Sequence, residues 1–332
     1  MFEVTTIDAH VAGGAVRLIT AGLPRVDASS LGERQQLLTE RAGATLAALT
    51  REPRGHSGTV VVVPAEPDSP DADAALLFYR SSGPAAPCGH ALIGATGLAL
   101  ARGVLTPRTH GTVRYDTTAG AMTATTVALP GSGAVPVRYT GPVTTVVRPN
   151  VPINLGRRDL RADLVWSGTE LVAIVDAEAA GVPLVSSRAL ELQRAGVGVI
   201  RHLDEAVRVS HPESGDRLPL SSVVFIGPAP ETGVDIRSGC VLTDGIVERT
   251  PGGGATAAIA AVLSAMGLLG AGRRLVHQGL VGTTLWATIL SIAELAGRPT
   301  VEVEIGGESW PTGDHMFRFD EADPLLVNEW ET

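Results

Sequence analysis

The chain has 332 residues, of which 44% are hydrophobic and 18% are charged, and its formal net charge is −9 at pH 7. This length suits two domains that each bury a core. The acidic balance argues against a nucleic-acid or membrane-surface partner. We find no apolar run of bilayer length and no secretory leader, so we expect a cytoplasmic protein whose partner is a small molecule.

The basic residues restrict the possible reactions and binding motifs further, because all 26 are arginine and lysine is absent. A Schiff base with pyridoxal phosphate or with a carbonyl substrate is therefore excluded, and so is a Walker-A lysine. The two cysteines, Cys88 and Cys240, are too few for a disulfide framework. No Cys/His cluster has metal-ligand spacing. We expect chemistry from Cys, His, Asp or Glu side chains, with no cofactor and no metal.

The first half of the chain alternates short β-branched runs with two helical patterns. FEVTTID, TVVVVP, ALLFYR and TVRYDTTAGAMTATTV predict strands, and residues 29–50 and 88–102 predict helices. The Pro- and Gly-rich stretch LPGSGAVPVRYTGPV then predicts a linker.

The second half repeats this order. ADLVWSGTELVAIVD, SSVVFIG, DIRSGCVL and GIVERT predict strands, whereas SRALELQRAGVGVIRHLDEAVRV and GGGATAAIAAVLSAMGLL predict helices. The two halves therefore follow one plan.

The two Ala-rich helices begin alike, at residues 87–90 (PCGH) and 251–254 (PGGG). A helix N-terminus offers unpaired N–H groups and a positive dipole end, which suit an anion such as a carboxylate. One glycine-started helix is ordinary structure, but two in equivalent places favour a ligand site.

Cys88 lies where the first of these helices should start. The helix dipole there lowers the pKa of a thiol, so Cys88 is a candidate base or nucleophile. Cys240 falls inside a predicted strand and is expected to be a buried structural residue. His10, His56 and His277 are expected to be structural. Arg80 is expected to be a solvated surface charge, with an extra contact to an anion as the alternative.

The same segments carry a family resemblance. PCGHALIG resembles the first catalytic motif of the proline racemase family, and VERTPGGGATAA resembles the second, whose usual form is Asp-Arg-Ser-Pro-Cys-Gly-Thr-Gly-Thr. TIDAHVAGGAVRLITAGLP, REPRGHSGTVVVVP and DHMFRFDEADPL also resemble family segments and follow in family order. The resemblance covers nearly the whole chain.

The resemblance implies an α+β fold of two similar α/β domains of the diaminopimelate-epimerase-like type. It relates them by a pseudo-two-fold axis and places the active site in the cleft between them. We expect residues 1–140 with 312–332 to form the first domain and residues 141–311 the second. Members of the family often form homodimers.

The resemblance also implies a mechanism without cofactor or metal, acting on proline or hydroxyprolines. In its racemases and epimerases two thiols flank Cα, one removing a proton and the other delivering one to the opposite face. By this resemblance Cys88 is one acid/base. The cradle of backbone N–H groups for the substrate carboxylate falls on Gly89, His90, Gly253 and Gly254.

The chain departs from the family at four positions. The second catalytic cysteine corresponds to Gly252, and the aspartate that contacts the substrate nitrogen corresponds to Glu248. A family glutamate corresponds to Gly14 and an asparagine to Ala86. A single thiol serves only one face of Cα, whereas β-elimination needs only one base.

These departures lead to three hypotheses. The first is a lyase of the trans-3-hydroxy-L-proline dehydratase type, in which Cys88 removes the Cα proton, Glu248 holds the ring nitrogen and Gly252 leaves space for the ring or for water. The second is a proline or hydroxyproline racemase or epimerase whose second proton carrier is water, His or Glu248. The third is a family descendant that has lost catalysis and only binds a small amino acid, or one that works on a specialised metabolite.

Overall fold

The computed structural model describes residues 1–126, 133–155, 158–211 and 214–327. The chain divides into two compact units, Met1–Tyr139 with Glu308–Thr332, and Thr140–Gly307. Residues 129–132 of the expected linker lie outside the described residues. Within the described ranges, no helix combines the length and the apolar character that crossing a bilayer requires.

The elements of the first half are β1 (Phe2–Val11), β2 (Gly14–Ala21), α1 (Leu31–Thr50), β3 (Val60–Ala65), β4 (Ala74–Arg80), β5 (Gly83–Ala85), α2 (Gly89–Ala101), β6 (Thr112–Thr117), β7 (Gly120–Thr126) and β8 (Val135–Thr140). Those that follow are β9 (Thr144–Leu155), β10 (Arg158–Trp166), β11 (Leu171–Asp176), α3 (Ala177–Ala180), α4 (Ala189–Ala206), β12 (Leu220–Gly227), β13 (Ile236–Leu242), α5 (Gly253–Ala265), β14 (Arg274–Gln278), β15 (Thr284–Leu295), β16 (Arg298–Phe319) and α6 (Pro324–Val327).

The two units share one topology. In the first, β1 and β2 are antiparallel, β2 is parallel to β3 across α1, β3 and β4 are antiparallel, and β4 is parallel to β6 across α2. In the second, β10, β11, β12, β13 and β14 repeat this order, with α4 and α5 as the crossover helices. The α+β fold of two similar α/β domains is therefore confirmed, and α2 and α5 occupy equivalent places.

The helices α2 and α5 are each 13 residues long and are buried along nearly their whole length. Ala, Leu, Ile and Gly cover all sides of both helices, which is typical of helices enclosed by the rest of a domain. Helix α4 differs, because it buries only the stripe that includes Leu192, Val199 and Leu203. Burial of α2 and α5 on every side fixes where their N-termini lie.

Three segments that were predicted as single strands are not. Residues 112–126 form the antiparallel strands β6 and β7 with a turn at residues 118 and 119. Residues 162–176 form the strands β10 and β11 with a turn between them, in which the backbone N–H and the hydroxyl of Ser167 both donate to the carbonyl of Glu170 at 2.9 and 3.1 Å. The prediction of a strand over residues 245–250 is also wrong. Gly245 has a φ of +83°, and the chain folds back so that Glu248 N–H donates to the Cys240 carbonyl at 2.9 Å.

A buried hydrogen-bond chain holds the N-terminus of α5. The Thr256 hydroxyl donates to the Gly252 carbonyl at 2.6 Å and lies 2.9 Å from His277 Nδ1, while His277 Nε2 lies 2.7 Å from the Ser238 hydroxyl. Because Thr256 has only one hydroxyl proton, Nδ1 must donate to it and Nε2 must accept from Ser238. Burial lowers the pKa of His277 to about 3, so the ring is neutral.

This buried neutral histidine predicts a pH-dependent stability. Below pH 6.5 the unfolded chain protonates His277 while the folded chain does not, so the free energy of unfolding must fall as the pH falls from 6.5 towards 3. Between pH 6.5 and pH 5 this group should cost about 2 kcal/mol. We expect His277→Gln to flatten the slope in urea unfolding at these pH values. The control His110→Gln, at an exposed site, should keep the wild-type slope. Equal slopes in wild type and His277→Gln would contradict the account.

Candidate active site

Cys88 is the N-cap residue of α2. Its backbone is extended, with φ −110° and ψ 119°, and its carbonyl accepts the first helical hydrogen bond from Leu92 N–H at 2.9 Å. The thiol makes no capping hydrogen bond and is half-buried. The sulfur therefore lies at the positive end of a buried helix, where a thiolate is stabilised.

Two basic side chains contact this sulfur. Arg80, the last residue of β4, places Nη2 3.5 Å from Cys88 Sγ, and His90 Nδ1 lies 3.1 Å from the same atom. His90 is 1% exposed. The expectation that Arg80 is a solvated surface charge is therefore wrong, because β4 ends beside the start of α2. A guanidinium at this distance favours the thiolate over the thiol.

The first turn of α2 supplies backbone donors beside the thiol. Gly89 and His90 are its first two residues, and the N–H groups of a first helical turn have no partner within the helix. The structure thus brings together Cys88, Gly89 and His90, three of the residues selected from the sequence. The arrangement can bind an anion and can hold a base next to it.

Gly252 is the N-cap residue of α5 and is equivalent to Cys88, but its backbone is different. Its φ is +75° with ψ 135°, a conformation that residues with a Cβ rarely adopt. A Cβ built on Gly252 would lie 3.2 Å from Glu248 Oε2. The absence of the second cysteine therefore coincides with a changed backbone and with a carboxylate beside the position of the missing side chain.

A second carboxylate lies at the start of α5. A Cβ built on Gly254 would lie 2.1 Å from Glu170 Oε1, so this carboxylate occupies the place of a side chain at position 254. The family motif has threonine there. Sequence reasoning missed Glu170, because SGTE was interpreted as the middle of a strand. The Ser167 and Gly168 pair between two apolar runs was the signal that could have revealed a turn.

The other selected residues have structural positions. Cys240 is 3% exposed in β13, as expected. His277 belongs to the buried hydrogen-bond chain that holds the N-terminus of α5. A cavity of about 610 Å³ in the first unit is lined by residues around Gly22, Arg34 and Pro64, and its lining includes neither Cys88 nor His90. In the described part of the chain, no three His, Cys, Asp or Glu residues group as metal ligands.

Comparison with known proteins gives the family. The model of the family described as proline racemase matches residues 6–327. A 4-hydroxyproline epimerase of Brucella ovis is 29% identical over 325 residues, 96% of each chain. A solved structure of a probable proline racemase from Agrobacterium radiobacter, with bound carbonate, has a TM-score of 0.86 and 26% identity, covering 97% of this chain and 95% of that one.

A hydroxyproline epimerase from Agrobacterium vitis, solved with bound trans-4-hydroxy-L-proline, has the same fold, with a TM-score of 0.86 at 23% identity. It covers 97% of this chain and 94% of that chain. The repeated topology, the thiol at the start of α2 and the match over residues 6–327 lead to one conclusion: the chain belongs to the proline racemase family.

Proposed function

We propose that this protein is a cofactor-independent epimerase that inverts Cα of a proline-type imino acid, with 4-hydroxyproline as its substrate. The observation that carries the proposal is the Cys88 thiol at the N-terminus of α2, with Arg80 and His90 at 3.5 and 3.1 Å. Relatives named 4-hydroxyproline epimerase support the choice of substrate. They also favour isomerisation over the elimination expected from the missing second thiol.

In the proposed first step, the Cys88 thiolate removes the Cα proton. The C–H pair of electrons moves onto Cα and into the substrate carboxylate, which becomes an enediolate, and the sulfur becomes a thiol. The N–H groups of Gly89 and His90, in the first turn of α2, stabilise the negative charge that develops on the carboxylate. Arg80 and His90 keep the sulfur in the thiolate form before the step.

In the second step, Glu248 delivers a proton to the opposite face of Cα. The O–H bond of its carboxylic acid breaks, the proton forms the new C–H bond, and the carboxylate remains. Its Oε2 lies 3.2 Å from the position of a Cβ on Gly252, which supports Glu248 as the replacement for the missing thiol. Exchange of both groups with water resets their protonation states.

This two-base mechanism predicts that two variants lose epimer formation alike but differ in exchange of the Cα proton. With trans-4-hydroxy-L-proline in D₂O, the wild type should place deuterium at Cα and form cis-4-hydroxy-D-proline, as followed by NMR. Cys88→Ser should lower epimer formation by roughly 10²- to 10⁴-fold, the usual contribution of a positioned acid or base. Glu248→Gln should lower it equally, but should still exchange the Cα proton of the isomer that Cys88 serves.

The matched control is Glu178→Gln, which removes an exposed carboxylate on α3 in the same unit. This variant should keep wild-type rates. If the wild type exchanged no Cα proton in either epimer, the proposed activity would be wrong. Binding of hydroxyproline without exchange, unchanged in Cys88→Ser, would instead indicate an amino-acid-binding protein. Formation of a cyclic imine from trans-3-hydroxy-L-proline would indicate a dehydratase.

The contact between Arg80 and the sulfur predicts a change in thiol reactivity. Arg80→Gln removes a positive charge 3.5 Å from Cys88 Sγ, so less thiolate should be present at pH 7. Because Arg80 is only partly buried, we expect alkylation by iodoacetamide to slow by about two- to fivefold. Mass spectrometry can follow Cys88, with buried Cys240 as the internal reference. Arg114→Gln, at an exposed site on β6, is the control. Equal rates in Arg80→Gln and wild type would refute this role.

A further inference from the structure

The hairpin formed by β4 and β5 connects Arg80 to Cys88. Arg80 is the last residue of β4, and β5 leads through Ala86 and Pro87 directly to Cys88 at the start of α2. Arg80 Nη2 lies 3.5 Å from Cys88 Sγ. Since the attraction between a guanidinium and a thiolate weakens with distance, the spacing of the two strands affects how strongly Arg80 favours the thiolate.

The hairpin is short. β5 has only the three residues Gly83–Ala85, and among the described strands it pairs with β4 alone. The ladder runs from the pair Phe78 and Ala85 to the pair Arg80 and Gly83. A two-stranded hairpin by itself is at best marginally stable in water. The geometry of this one therefore depends on contacts with the rest of the unit.

Helix α1 provides such contacts through one side-chain amide. Gln35 Nε2 donates to the Phe78 carbonyl on β4 at 3.1 Å and to the Ala85 carbonyl on β5 at 3.5 Å. Phe78 and Ala85 are partners in the ladder, so the two hydrogens of a single NH₂ group connect both strands. The backbone of Gln35 is held as well, because its carbonyl accepts a hydrogen bond from the Tyr79 hydroxyl at 3.2 Å.

The turn of the hairpin also contacts α1. Arg51, the C-cap residue of α1, donates from Nη2 to the Ser81 carbonyl at 2.7 Å. Helix α1 therefore holds the hairpin at its open end, through Gln35, and at its turn, through Arg51. Arg80 lies between these two contacts.

We propose that Gln35 is a positioning residue for the Cys88 thiol. Its amide fixes the spacing of β4 and β5, and this spacing keeps the Arg80 guanidinium in contact with Cys88 Sγ. Because the amide is uncharged, its removal changes no charge near the sulfur and acts through geometry. The effect on the thiol needs no substrate, whereas its importance for turnover rests on the function proposed above.

The test replaces Gln35 with methionine, which keeps an unbranched side chain and removes both donors. Alkylation of Cys88 by iodoacetamide is followed by mass spectrometry as a function of pH, with buried Cys240 as the internal reference. At pH 7, Gln35→Met should slow alkylation by about two- to threefold, as part of the loss expected for Arg80→Gln. The pH profile should shift to higher pH, because less thiolate is present at a given pH. At high pH, where the thiol is fully ionised, the wild-type rate should be kept.

A double variant shows whether Gln35 acts through Arg80. In an Arg80→Gln background the guanidinium is absent, so the additional change Gln35→Met should slow alkylation no further. If the additional change slowed the reaction as much as it does in the wild type, Gln35 would affect the thiol by another route and the proposal would be wrong.

The next residue of α1 offers the matched control. Gln36 is exposed, and its Nε2 donates to Glu40 Oε1 of the same helix at 3.1 Å. Gln36→Met should keep the wild-type profile. Gln35→Asn keeps the amide but is one methylene shorter, so it cannot reach both carbonyls and should shift the profile as Gln35→Met does. Circular dichroism and thermal unfolding identify the folded variants, and the profile of either folded variant at position 35 decides the question.

The outcomes separate this proposal from the proposed function. If the wild type epimerises 4-hydroxyproline and the folded Gln35 variants keep the wild-type profile, the assignment of Gln35 is overturned and the function stands. If the wild type exchanges no Cα proton, but Gln35→Met shifts the profile and Gln36→Met does not, the function fails and the assignment of Gln35 stands.

Discussion

The start of a buried helix is the physical element on which this protein depends. Helices α2 and α5 are enclosed on nearly every side, so each presents its first turn from a fixed position. The N–H groups of that turn have no partner within the helix, and the dipole adds a positive potential. Such a point stabilises the anionic form of a group placed beside it. The side chains beside the first turn of α2 and of α5 therefore determine which groups each helix start can bind.

The two halves place different side chains on the same backbone plan. In the first, an extended N-cap residue carries a thiol that two basic side chains contact. In the second, the N-cap residue is a glycine at φ +75°, and carboxylates from a hairpin turn and from the loop after β13 approach the helix. The hydrogen bonds from Thr256 through His277 to Ser238 keep the Gly252 carbonyl in place behind them. The two units thus share a fold, but basic side chains lie at the start of α2 and carboxylates at the start of α5.

Gly252 shows why the absence of an expected side chain does not by itself define a mechanism. On the sequence alone, it marks the loss of one thiol, and a one-base elimination follows as the simplest consequence. The structure adds that the backbone at this point rarely accepts a side chain and that Glu248 Oε2 lies beside the empty position. A carboxylate can carry a proton as a thiol does, so the second face of Cα need not be without an acid.

The amino-acid sequence by itself determined the repeated α/β plan, the two buried helices and the selection of Cys88. All of these follow from local signals, namely apolar periodicity, glycine and proline at helix starts, and a motif within a few residues. Only the tertiary structure decided that Arg80 contacts the sulfur, that Glu170 fills the space at Gly254 and that residues 245–250 fold back as a loop. Arg80 and Cys88 are 8 positions apart in the sequence, and Glu170 and Gly254 are 84 positions apart. The position of Glu170 also depends on the short turn at residues 167–170, inside an apolar run. Contacts across such distances are set by how strands and helices pack, which local patterns do not encode.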